Sequence, residues 1–194
     1  MTSYDKQYQI EQNLFGTPYP EFETFVSQHA KPSGTALDLG CGQGRDALML
    51  AQYGYTVTGV DSSSVGIDQM LERAKAKGLA VNGIVADFYE YELTQTFDAI
   101  VLDSILHFGK ADKAKELALL DRVAMHVREN GYLFLFVHQS RTKERVLKNW
   151  FNSQKSYFEL VQDGYIDYVY HEKVTGFQSA FQFYMLILRR VMAE

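Results

Sequence analysis

The chain has 194 residues, of which 46% are hydrophobic and 14% aromatic, and its formal net charge is −5. This composition supports a substantial core and excludes general disorder. The acidic balance argues against a protein that binds duplex DNA through a basic face, so nucleic acid is disfavoured as a partner.

A single cysteine, Cys41, excludes an intramolecular disulfide and favours a reducing compartment. The N-terminus lacks the charged-then-apolar pattern of a signal peptide, and the longest apolar runs, such as 132–137, fall far short of roughly 18 residues. We therefore expect a soluble cytoplasmic protein with no membrane partner.

The first 35 residues contain all three prolines. A short helix is predicted over 21–29 because Pro20 suits the start of a helix, and Phe22, Phe25 and Val26 are spaced to share one face. This segment is expected to form a helical cap over 1–34 that packs on the main body.

From Thr35 onward, short apolar runs alternate with helical patterns. Strands are predicted at 36–39, 56–60, 79–85, 97–102 and 132–137, and helices at 46–53, 64–77 and 113–128. The last helix would place Leu117, Leu120, Ala124 and Val127 on one face. This alternation predicts an α/β fold with a mainly parallel, doubly wound sheet covered on both faces.

The last 55 residues have a different pattern. After a predicted helix at 143–151, two β-rich runs at 165–174 and 178–188 are separated only by 175–177, which leaves no room for a helix. Such a short connection requires an antiparallel pair, so the sheet is expected to end in a hairpin. The pattern predicts one domain over 1–194, with a core at 35–140 and the C-terminal helix and hairpin at 141–194.

The strongest motif is a glycine loop, Asp38-Leu39-Gly40-Cys41-Gly42-Gln43-Gly44-Arg45, where a strand turns into a helix. Glycines there allow close approach of the backbone to a ligand, and the helix that follows presents unpaired N–H groups. The loop therefore favours an adenosine-like cofactor. Arg45 stands in the place of the third glycine of the dinucleotide fingerprint, which disfavours a nicotinamide dinucleotide.

Acidic residues follow the next two predicted strands. Asp61 lies 17 residues after Gly44, where a carboxylate can accept hydrogen bonds from both ribose hydroxyls. Asp87 could accept from an adenine amine, and Phe88 could offer a backbone N–H or a ring face. These residues are expected at the sheet edge where open α/β folds bind ligands.

Together, these motifs resemble those of the class I S-adenosylmethionine-dependent methyltransferases. The similarity rests on the glycine loop, Asp61, Asp87-Phe88, Phe97-Asp98-Ala99-Ile100-Val101 and Asn130-Gly131-Tyr132. A narrower similarity, to small tellurite-resistance or thiopurine-type members, rests on Gly44-Arg45 and the segment 14–20. The resemblance implies a Rossmann-like sheet of seven strands, the last antiparallel.

The resemblance also implies the residues that bind S-adenosylmethionine. The expected cofactor-binding set is Asp38, Gly40, Cys41, Gly42, Arg45, Asp61, Ser62, Asp87, Phe88 and Asp103. Two of these have an alternative role: Asp38 could hold the loop backbone rather than touch ligand, and Asp103 could be a solvated turn carboxylate. Cys41 is interpreted as a buried filler rather than a nucleophile, because only Arg45 is nearby to lower its pKa.

Two histidines and three tyrosines are further candidates. His107 could be a general base for the methyl acceptor or a wall of its pocket, and His138 could face the same pocket. Two histidines without a third ligand do not predict a metal. Tyr4, Tyr8 and Tyr19 could form an aromatic lid over the cofactor or pack as an ordinary satellite cluster.

The predicted function is methyl transfer from S-adenosylmethionine to a small-molecule acceptor by in-line displacement. The alternatives are a nicotinamide-dependent oxidoreductase and a non-catalytic cofactor-binding module. The sequence predicts neither which small molecule is the acceptor nor the oligomeric state.

Overall fold

The computed structural model describes residues 3–171 and 176–192. The chain divides into two compact units, one formed by Met1–Tyr91 with Tyr168–Ala180 and the other by Glu92–Asp167 with Phe181–Glu194.

Six helices and seven strands alternate along the described part of the chain. The helices are α1 Ser3–Ile10, α2 Pro20–His29, α3 Arg45–Gln52, α4 Ser64–Ala76, α5 Lys113–Met125 and α6 Arg141–Ser153. The strands are β1 Thr35–Leu39, β2 Thr56–Asp61, β3 Val81–Val85, β4 Phe97–Asp103, β5 Val127–His138, β6 Phe158–His171 and β7 Gln178–Arg190.

The seven strands follow the order β3-β2-β1-β4-β5-β7-β6. β1 pairs with β2, β2 with β3, and β4 with β5 in parallel, whereas β5 and β7 are antiparallel. The predicted α/β, Rossmann-like sheet with antiparallel C-terminal strands is thereby confirmed.

In the first unit, the predicted apolar face of α2 is confirmed, because Phe22, Phe25 and Val26 are all buried. The register between β2 and β3 sets Asp61 opposite Val85. Because parallel strands end at the same edge of a sheet, Asp61 and the residues that follow Val85 come to the same side.

In the second unit, β4 is buried from Phe97 to Leu102, as is β5 from Leu133 to Val137. Apart from Asp98, which is paired with Arg128, these runs are apolar, as is typical of parallel strands covered on both faces. The parallel register sets Asp103 of β4 beside Phe136 of β5. The segments after both strands therefore leave the sheet at the same edge.

Three element predictions need correction. The predicted helix 113–128 ends at Met125, and Val127 instead begins β5, where the N–H of Phe97 donates to the carbonyl of His126. β6 begins at Phe158, seven residues before the prediction, and residues 172–174 of that predicted run lie outside the described residues. Helix α1 was missed because the polar residues of 3–10 mask its weak apolar pattern.

Within residues 3–171 and 176–192, no helix combines the length and the apolar character needed to cross a lipid bilayer.

Candidate cofactor and acceptor sites

The glycine loop follows β1 in the first unit. Gly40, Gly42 and Gly44 have φ angles of +77°, +51° and +80°. L-residues with a side chain rarely adopt this left-handed region, so the turn depends on glycine. The N–H of Gly40 donates to the carbonyl of Val60 at 2.8 Å, which fixes the start of the loop against β2.

Asp61, the last residue of β2, binds the glycine loop directly. One carboxylate oxygen accepts the N–H of Gly42 at 2.9 Å, and the other accepts the N–H of Ser63 at 2.8 Å. Burial raises the pKa of Asp61, partly offset by these backbone donors.

Ser63 joins three segments around Asp61. Its fully buried hydroxyl accepts the N–H of Gly66 at 3.1 Å, which caps helix α4, and donates to the carboxylate of Asp5 at 2.5 Å. Sequence reasoning missed this residue, although a serine just before a helical pattern is a recognised N-cap signal.

Replacing Ser63 by alanine is expected to lower the free energy of unfolding by about 1–2 kcal/mol, because the helix cap and the bond to Asp5 are both lost. Ser64→Ala is the matched control, since Ser64 is exposed at the first position of α4. Urea denaturation of both variants measures the difference, and equal stabilities would contradict the cap.

The N-terminal segment lies on the glycine loop. A Cβ atom built on Gly42 would be only 2.6 Å from the hydroxyl of Tyr8, a residue that is 3% exposed. The Gln43 side chain donates to the carbonyl of Glu11 and accepts the N–H of Leu14, each at 2.8 Å. Helix α1 and the turn after it are therefore anchored to the loop.

The three tyrosines proposed as a lid have different environments. Tyr4 and Tyr8 stack with centroids 5.7 Å apart, and Tyr8 meets Phe15 edge-on at 6.4 Å. Tyr19 is buried and packs edge-on against Tyr168 at 5.6 Å. Tyr8 thus adjoins the loop, while a lid over a cofactor remains a prediction.

Arg45 follows the loop and is held within the protein. Its guanidinium donates twice to Asp46, at 3.0 and 2.8 Å, and lies 4.3 Å above the ring of Tyr19. These contacts position the start of α3, and a cofactor contact of Arg45 remains a prediction.

Asp38 and Cys41 are both buried near the loop. Burial, together with the nearby Asp46, raises the pKa of Asp38, and its carboxyl group has a hydrogen bond with the backbone of Ala47 in α3. Burial is the main cause that raises the pKa of the Cys41 thiol, and the charges of Asp38 and Asp61 raise it further. This environment disfavours a nucleophilic thiolate.

The segment after β3 forms a compact turn. The carboxylate of Asp87 accepts the N–H of Tyr89 at 2.8 Å, and the rings of Phe88 and Tyr89 lie 4.6 Å apart. Asp87 and Ser62 are exposed to solvent. The predicted contacts of Ser62, Asp87 and Phe88 with the cofactor remain predictions.

In the second unit, Asp103 ends β4 and accepts the hydroxyl of Ser104 at 2.7 Å. Ser104 has a φ of +60°, so the chain turns sharply directly after the strand. Binding of the cofactor by Asp103 remains a prediction.

Glu116 of α5 fixes the turn that carries His107. The fully buried carboxylate accepts the N–H of His107 at 2.8 Å and the N–H of Phe108. The His107 side chain itself is exposed. Sequence reasoning missed Glu116, because a glutamate in an amphipathic helix is normally read as a solvent-facing residue.

His138 ends β5, and its ring packs 4.4 Å from Phe183 and 5.2 Å from Phe181 of β7. Burial lowers the pKa of His138, and the nearby Lys143 and His107 lower it further. In the part of the chain that the structure describes, no three His, Cys, Asp or Glu side chains are grouped to hold a metal ion.

Comparison with known proteins identifies the family. Residues 36–131, which contain the glycine loop and Asp61, match the model of a methyltransferase domain. The cypemycin N-terminal methyltransferase of a Streptomyces species is 35% identical over 112 residues, 57% of this chain and 45% of that protein. The chain belongs to the class I S-adenosylmethionine-dependent methyltransferases. The predicted family is confirmed, and its members are dependent on S-adenosylmethionine.

Solved structures of methyltransferases share the fold. TehB from Haemophilus influenzae aligns with a TM-score of 0.74 at 18% identity, over 96% of this chain and 66% of that one. The N-methyltransferase NodS from Bradyrhizobium japonicum, in complex with S-adenosylhomocysteine, aligns with a TM-score of 0.70 at 15% identity, over 97% and 99% of the two chains. The chain spans between 31% and 62% of the length of three curated relatives that it matches.

Proposed function

We propose that this methyltransferase transfers the methyl group of S-adenosylmethionine to a small-molecule acceptor by in-line displacement. The observation that carries the proposal is the pairing of the glycine loop with Asp61, whose carboxylate accepts the Gly42 N–H at 2.9 Å. This bond sets Asp61, which we propose binds the ribose, beside a glycine backbone that ligand atoms can approach closely.

The residues of the first unit fit the cofactor. Both oxygens of Asp61 are held in place by backbone donors, and we propose that this carboxylate accepts the ribose hydroxyls. The methionine part is proposed to lie against the backbone of Gly40 and Gly42, although the space that a Cβ of Gly42 would fill is taken by Tyr8. Asp87 and Phe88 follow β3 and are proposed to bind the adenine.

When bound, the cofactor supplies an electrophilic methyl group on a positively charged sulfur. The protein then needs mainly to align the acceptor with that methyl group and to exclude water. An amine acceptor must reach the site with a free electron pair, whereas a soft sulfur acceptor needs positioning only.

Nitrogen is the acceptor atom we favour. NodS, which resembles this chain in fold, is named as an N-methyltransferase. The net charge of −5 also favours a small molecule over nucleic acid.

Transfer of a radiolabelled methyl group to a panel of small amines, thiols, phenols and carboxylic acids tests the proposal. We expect label in an amine product and release of S-adenosylhomocysteine. Protein that binds S-adenosylmethionine but labels only a polypeptide or an RNA in parallel reactions would contradict a small-molecule acceptor.

His107 is proposed to contact the acceptor as part of its pocket. His107→Ala is expected to raise the acceptor KM by about fivefold, the effect of losing one partly exposed polar contact, and to leave the pH dependence of kcat unchanged. Steady-state kinetics from pH 6 to 9 would measure both quantities. Loss of a limb of the kcat profile near neutral pH would contradict this role and identify His107 as the general base.

A further inference from the structure

Three side chains that can carry positive charge lie together at the carboxyl ends of β4 and β5 in the second unit. His107 follows β4, His138 ends β5, and Lys143 lies in the first turn of α6. The charges of Lys143 and His107 both act on His138. Three neighbouring bases of this kind repel one another when protonated.

Glu116 is the acid whose charge acts on Lys143. Glu116 of α5 attracts Lys143, but its carboxylate accepts the backbone N–H groups of His107 and Phe108. Burial lowers the pKa of Lys143, with Glu116 opposing that shift. Glu116 therefore holds the turn in place, and its single negative charge can balance at most one of the three bases.

An apolar wall stands beside the three bases. The rings of Phe181 and Phe183 on β7 flank His138, with centroid distances of 5.2 and 4.4 Å. His107 is exposed, and His138 and Lys143 are half-buried, so a ligand can reach all three from solvent. Cations beside aromatic rings suit an anion attached to an apolar or aromatic group.

We propose that Lys143, His138 and His107 bind an anionic group, a carboxylate or a phosphate, on the methyl acceptor. This inference rests on the proposed function, because it assigns the cluster to the acceptor. It narrows the acceptor to a molecule with a nucleophile and a separate anionic anchor, such as an amino acid or an aminoalkyl phosphate.

The site has a thermodynamic signature that needs no methyl transfer. An anion beside His138 stabilises its protonated form, so binding must raise the pKa of His138. Conversely, removing the charge of Lys143 must raise the pKa of His138 in the free protein, because one repulsive charge is lost.

The test is NMR titration of the histidine ring signals of the full chain with four probes of similar size. Benzoate and phenyl phosphate carry the anion, benzyl alcohol is neutral, and benzylamine is cationic. We expect the two anions to shift the His107 and His138 signals and to raise the pKa of His138, with their relative affinities separating carboxylate from phosphate. Benzyl alcohol and benzylamine should bind at least about fivefold more weakly.

Substitutions in α6 test whether Lys143 is responsible for the anion binding. Lys143→Met should weaken anion binding by about fivefold or more, and Lys143→Arg should retain it. Lys148→Met is the matched control, because Lys148 is an exposed lysine of the same helix that lies 4.8 Å from the ring of Tyr184. Lys143→Gln replaces the methionine variant if the latter fails to fold.

Equal binding of benzylamine and benzoate, absence of His138 shifts with either anion, or equal losses in Lys143→Met and Lys148→Met would each overturn the inference. These results do not depend on S-adenosylmethionine. Failure here with intact cofactor binding would therefore reject the anion site and leave the methyltransferase proposal standing.

Discussion

Asp61→Ala is expected to weaken binding of S-adenosylmethionine by about 1–3 kcal/mol, because hydrogen bonds from the ribose to a charged acceptor are lost. The substitution also removes the acceptor of the Gly42 and Ser63 N–H groups, so the glycine loop loses its anchor to β2. Isothermal titration calorimetry measures the change in Kd.

Two further variants test whether the loss of affinity comes from the missing charge at position 61. One keeps the size of the Asp61 side chain, and the other removes a different carboxylate. Asp61→Asn keeps the size of the side chain but replaces one accepting oxygen with a donor, so we expect it to resemble Asp61→Ala. Asp68→Ala removes an exposed carboxylate of α4 and should bind the cofactor as the wild type does. Wild-type affinity in Asp61→Ala would remove Asp61 from the site.

The pKa of Asp61 adds a pH signature to this experiment. Burial raises that pKa, and the ionised form is the one that accepts both hydroxyls. As pH falls, protonation should therefore weaken cofactor binding at a higher pH than an ordinary aspartate would. Asp61→Asn should lose this pH dependence.

Gly44→Ala is expected to lower the free energy of unfolding by about 2–5 kcal/mol, the sum of a left-handed backbone at a non-glycine residue and an overpacked contact. Gly44 has a φ of +80°, and a Cβ atom there would lie 2.3 Å from Cγ and 2.9 Å from Cβ of Met70. Met70 of α4 is fully buried and cannot move away without disturbing its neighbours.

Gly78→Ala is the matched control for Gly44→Ala. Gly78 has a φ of +64°, but a Cβ atom there would meet nothing within 4 Å, so only the backbone cost of about 1–2 kcal/mol applies. Thermal and urea denaturation of both variants measure the difference. Equal losses would show that packing against Met70 does not require glycine at position 44.

Most of the fold follows from local patterns in the sequence. The apolar runs of β1, β4 and the centre of β5 predict buried parallel strands, and the structure has them. The errors come where tertiary contacts decide the outcome. Val127 has helical spacing with Leu120 and Ala124, yet it begins β5, where the chain pairs with β4.

The residues of the candidate site likewise divide into those that local patterns predict and those that depend on tertiary contacts. Gly42 and Asp61 could be placed together because strand ends of a parallel sheet meet at one edge, and the hydrogen bond between them is present. The N-cap role of Ser63 is local and could have been predicted, but its bond to Asp5, 58 residues away, and the bonds of Glu116 to a turn 8 to 9 residues away could not. Long-range bonds of buried side chains leave no periodic signal.

The central claim is that this chain binds S-adenosylmethionine through its glycine loop and Asp61. Calorimetric titration of the folded protein with S-adenosylmethionine, S-adenosylhomocysteine and NAD tests it most directly. The structure and the family predict saturable binding of both adenosyl ligands, no binding of NAD, and a large loss of affinity in Asp61→Ala. Binding of NAD with no binding of either adenosyl ligand would contradict the account.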